Sequence, residues 1–71
     1  MKLHYYPDTD SLYIELRSSA SAETREVAAE ILVDLEAAGA VVGFDIDHAS
    51  KHLDLSTLET VALPLRSTKI A

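Results

Sequence analysis

Apolar and polar positions alternate with a period of two over residues 40–47, AVVGFDID. Val42, Phe44 and Ile46 fall on one face, and Val41, Gly43, Asp45 and Asp47 on the other. This is the most apolar alternating run in the chain, and it is predicted to be the central strand. The same period recurs over residues 2–6, with Leu3 and Tyr5 against His4 and Tyr6, and over residues 11–16 through Leu12, Ile14 and Leu16. Between these two runs lie Pro7, Asp8, Thr9 and Asp10. Proline fixes its own φ and both aspartates can bond neighbouring amides, so the three pieces predict a hairpin. A cation between Asp8 and Asp10 is the alternative use of these carboxylates, and it needs further oxygen ligands. Residues 17–21, RSSAS, are short and polar and read as a loop.

Residues 22–38 carry two periods at once. Val27, Ile31, Leu35 and Ala38 recur at helical spacing with Gly39 as a C-terminal stop, in a stretch rich in alanine and glutamate. Ile31, Val33 and Leu35 also alternate with Leu32, Asp34 and Glu36, as in a strand feeding a turn at Ala37, Ala38 and Gly39. Period alone does not separate helix from strand here.

The run YYPDTDSLYIEL, followed by ETREV, ILVDLE, a glycine-containing turn, VVGFDID and HAS, resembles the small bacterial and archaeal family named domain of unknown function 2283. The resemblance spans residues 1–53. Its most specific parts are Asp10, Leu12, Tyr13 and Ile14 of the hairpin, residues 23–27 (ETREV) and residues 41–46 (VVGFDI). It implies strands over residues 24–36 and a meander closed by the glycine-containing strand. The chain departs from the family pattern at Ala37 and Ala38, where polar residues are usual, and at Glu30, near where a glycine is common. The family has no established activity, so the resemblance bears on fold and leaves function open.

Further on, residues 48–53 could form a short turn. Residues 56–59, STLE, have the S-x-x-E form of a capping box ahead of Thr60, Val61 and Ala62, which predicts a helix of two or three turns ended by Pro64. Leu53, Leu55, Leu58, Val61 and Leu63 would be its apolar side, covering Leu3, Tyr5, Ile14, Val33, Phe44 and Ile46. The expected fold is α+β: a four-stranded antiparallel meander (ββββα) with a short C-terminal helix packed on one face. It would be a single domain over residues 1–71, with residues 65–71 as a frayed tail.

At 71 residues such a domain buries only about 60% of the surface of its unfolded chain, and small folds compensate with disulfides, metals or oligomerisation. There is no cysteine, which closes the first route and gives no sign of an oxidising compartment. No run reaches the roughly 18 apolar residues of a membrane span, and residues 1–8 lack a signal peptide's apolar segment, so a soluble cytoplasmic protein is expected. Twelve acidic against six basic side chains give a formal net charge of -6, which disfavours nucleic-acid binding.

The most suggestive chemistry is DIDHASKH. Asp45 and Asp47 share a strand face, and His48 and His52 would share a helix face if that turn is helical. Two imidazoles and a carboxylate can hold zinc, with His4 as a third nitrogen only if the first strand runs close to that end. The pair lacks the E-x-x spacing of a metalloprotease, and solvated polar residues at a sheet end need no function. No G-x-S-x-G elbow or phosphate-cradling loop is present, so neither catalysis nor a cofactor is expected. The leading expectation is a non-enzymatic accessory or binding module that self-associates, with a small basic protein such as a toxin as a candidate partner. The alternative is a small metal- or ligand-binding protein using Asp45, Asp47, His48 and His52. Self-association is expected as a homodimer through the sheet face opposite the helix, with Tyr6, Tyr13, Leu32 and Val41 at the interface.

Overall fold

A computed structural model describes residues 1–70 of the chain. It contains β1 (Lys2–Tyr6), β2 (Ser11–Glu15), β3 (Glu23–Ala28), β4 (Ile31–Leu35), β5 (Val41–Ile46) and α1 (Ala49–His52). The strands form one five-stranded antiparallel sheet in the order β1-β2-β5-β4-β3. The alternating run at residues 40–47 is the central strand, as its pattern predicts.

The strand count and connectivity differ from expectation. The sheet has five strands and not four, because residues 23–35 fold back on themselves as the β3–β4 hairpin. Its tight turn is Ala29 and Glu30, with Glu30 at φ 66°. This is the left-handed region that glycine enters without cost, which gives a physical reason for the glycine common near this position in the resembled family. Neither residue is a turn former, so the reversal is hidden in an alanine-rich stretch. The sheet is also not a meander, since β5 inserts between β2 and β4 and joins two hairpins.

The cross-strand registers define two apolar rows on one face. One runs Tyr5, Leu12, Ile46, Ile31 and Ala28; the other runs Leu3, Ile14, Phe44, Val33 and Arg25. Leu12, Val33, Val42, Ile46 and Ala49 are buried, while Phe44 and Ile14 are half-buried and Leu3 and Tyr5 are exposed. The opposite face carries mainly polar rows, such as Lys2, Glu15, Gly43, Asp34 and Thr24.

The predicted helix over residues 56–63 does not form. The chain there is irregular and exposed, and the only helix among the described residues is the single turn of α1. Ser56 gives both its N–H and its hydroxyl to Asp54, 3.0 and 2.5 Å away, so the expected cap is diverted into a local turn. Thr57, Thr60 and Val61 are β-branched, and Ala62 sits at φ 58°, outside the helical region. Of α1 only Ala49 is buried, against Leu12 and Ile46, so this helix plugs one end of the apolar face without covering it. The end of the expected frayed tail, Ala71, lies outside the described residues. No described helix is long and apolar enough to cross a membrane.

Candidate interaction surface

The open part of the apolar face lies over β1 and β2. Leu3, Tyr5, Leu12 and Ile14 make the floor, and Leu53, Leu55 and Leu58 the wall, of a groove of about 530 Å³. The extended chain after α1 therefore approaches the face that the predicted helix would have sealed, without burying it. Leu3 is 48% exposed, Tyr5 45% and Leu58 76%, values far above those of core residues. The Tyr5 hydroxyl donates to Asp10 Oδ1 at 2.8 Å, which holds the ring across the groove's end.

Asp10 is the hub of that end. It lies at φ 52° and also accepts from the Ser50 hydroxyl at 2.6 Å and the Ser50 N–H at 3.2 Å, while its carbonyl accepts from the Ala49 N–H at 2.8 Å. The first hairpin is thereby tied to the start of α1. Hydrogen bonds from Ser50 and Tyr5, helped by the His48 charge, hold the Asp10 carboxyl below the usual aspartate range against the opposing effect of burial. Asp10 lies in the predicted turn, but its carboxylate bonds Tyr5 and Ser50 and not the amides of the turn itself.

The four residues expected at an interface are spread over four strands of the opposite face. Tyr6 is exposed at the β1 edge, its ring stacked with His4 at 5.9 Å between centroids. Tyr13 lies across Gly43 and donates to Asp34 Oδ2 at 2.8 Å, and Thr24 donates to Asp34 Oδ1 at 2.6 Å. Burial, with the Asp34 hydrogen bond and nearby carboxylates, pushes the Tyr13 phenol up to about 12. Leu32 and Val41 are half-buried; Asp45 separates Leu32 from Tyr13 in their row, and Val41 faces Leu35 beyond a register shift. Desolvation and the charges of Asp47 and Asp34 raise the Asp45 pKa.

The DIDHASKH residues divide between two places. His48 and His52 converge on Glu30, which the sequence did not single out as a site residue. The His48 ring contacts one carboxylate oxygen, His52 Nε2 lies 3.2 Å from the other, and Lys51 Nζ lies 3.5 Å from it as well. Burial works to raise the Glu30 pKa, but the bonds to His52 and His48 and the charge of Lys51 outweigh it and hold it low. Asp47 instead receives the Ser11 hydroxyl at 3.5 Å, while its N–H donates to the Glu30 carbonyl at 2.8 Å. His4 stays in the middle of β1. Among the described residues no three His, Asp or Glu side chains are arranged to hold a metal ion, and no hydroxyl hydrogen-bonds to an imidazole.

Comparison with known proteins adds one match. The model of the family described as protein of unknown function (DUF2283) matches residues 2–50. No curated protein and no solved structure matches the chain.

Proposed function

The chain belongs to the DUF2283 family, and on that footing we propose that it is a non-enzymatic protein-binding module that works as a homodimer. One observation carries this reading. The chain exposes 5671 Å², whereas a compact monomer of 7.7 kDa exposes about 4,300 Å² by the usual scaling of surface with mass. The surplus of roughly 1,300 Å² exceeds the roughly 800 Å² that each partner buries in a standard interface. Its apolar portion includes β1 and the chain after α1, where Leu3, Tyr5, Leu53, Leu55, Leu58 and Leu65 are all exposed.

The apolar side of β1 and β2 supports pairing better than the opposite face does, because Tyr13 there is already committed to Asp34. The formal charge of -6 supports a cationic protein as a further partner of the dimer, since complementary charge speeds encounter. Light scattering at micromolar concentration tests the central statement. A mass near twice 7.7 kDa is expected; a mass equal to one chain would overturn it.

A further inference from the structure

We infer that two copies pair edge to edge along β1, antiparallel about a two-fold axis at His4, joining both sheets into one. This rests on the self-association proposed above and assigns the strand that carries it.

The sheet has two edges, β1 and β3, and an edge strand leaves the N–H and C=O of every second residue without a ladder partner. The β3 edge is blunted. Its pairing with β4 shifts between Glu26 and Ala28, and Glu23, Arg25 and Glu26 put three charges on a six-residue strand. Bulges and charges of this kind keep an edge from templating another strand. The β1 edge has no such protection beyond Lys2 at its start. All five of its residues pair with β2 in unbroken register. The chain after α1 passes beside β1 but, among the described residues, makes no main-chain hydrogen bond to it.

The strand is also self-complementary. With His4 on the axis, Leu3 lies opposite the partner's Tyr5 and Lys2 opposite the partner's Tyr6. The first pair extends both apolar rows, through Ile14 and Leu12, into the second copy. The second sets an ammonium beside an exposed aromatic ring on the polar face. An axis at Leu3 shortens the ladder, and an axis at Tyr5 brings in Pro7, which has no N–H to give. A single patch used by both copies is what two-fold association requires.

The chain has no cysteine, so each one introduced reports alone. Facing residues of an antiparallel pair have Cα atoms about 4.5–5.5 Å apart, within the span of a disulfide. In a glutathione redox buffer, His4→Cys is expected to give a reducible species at twice 7.7 kDa, while Lys2→Cys and Val27→Cys alone stay at 7.7 kDa. Lys2→Cys mixed with Tyr6→Cys is expected to cross-link, which covers the case in which replacing His4 weakens pairing. If the unsubstituted chain scatters as a dimer but neither His4→Cys nor the mixed pair cross-links, the β1 edge is wrong and self-association stands. Cross-linking by Val27→Cys would move the contact to the other edge and overturn the inference. A monomeric unsubstituted chain would remove both readings.

Discussion

Gly43 is where the polar face depends on the absence of a side chain. A Cβ there would come within 2.5 Å of the Tyr13 hydroxyl and 2.7 Å of the Ile14 carbonyl. The second neighbour is main chain of the adjacent strand and cannot swing away. Gly43→Ala should therefore destabilise the fold by about 1–3 kcal/mol, the usual cost of overpacking, read from urea unfolding. A loss within error would mean that Tyr13 does not lie across the glycine. At the other end of the sheet, Asp10 ties stability to pH. Its folded pKa is lowered by Ser50 and Tyr5. The stability it contributes is thus present above the ordinary aspartate value near 3.9 and is lost as pH falls through the lower folded value. Asp10→Asn, which tolerates the left-handed φ, should lower the melting temperature at neutral pH and flatten its decline in acid. Parallel acid limbs for the two chains would refute this. The turn at PDTD was legible, but the bonds of Asp10 to Tyr5 and Ser50 were not, because Ser50 lies forty residues on. The role of Glu30 was visible only as a departure from the family pattern, because no local rule pairs it with histidines eighteen and twenty-two residues later.

Elements with a strict period of two were readable because one face of each is apolar, and a slip by one residue would reverse every side chain. That logic places Leu12, Ile14, Val33, Phe44 and Ile46 on one face, where the registers put them. Within residues 22–38 it places β4, once the family resemblance selects strand over helix, but it does not show the reversal at Ala29 and Glu30 that makes β3 a separate strand. The helix expected at residues 56–63 failed for the opposite reason. A capping pattern and spaced leucines give a helix only if nothing nearby binds the cap more cheaply, and Asp54 does. Far-ultraviolet circular dichroism should accordingly show a strand-dominated spectrum with helix below about one tenth of the chain, against a usual share near one third. A helical minimum of ordinary depth would restore the helix after α1.

For the whole molecule, the missing helix has a larger effect than the extra strand. The radius of gyration is 13.0 Å, where about 11 Å is usual for 71 residues, and no large side chain among the described residues is fully buried. A chain this open, without disulfides, gains the most from a second copy, which is why surface area carries the functional reading. The helix predicted over residues 56–63 does not form, and the apolar surface it would have covered lies open. The position of β5 has a consequence in time. Each hairpin, β1–β2 and β3–β4, closes over a short loop, yet the two share no ladder until β5 slides between them. An isolated two-stranded hairpin is only marginally stable in water, so neither half can settle into a sheet until residues 41–46 fill the gap between their inner edges.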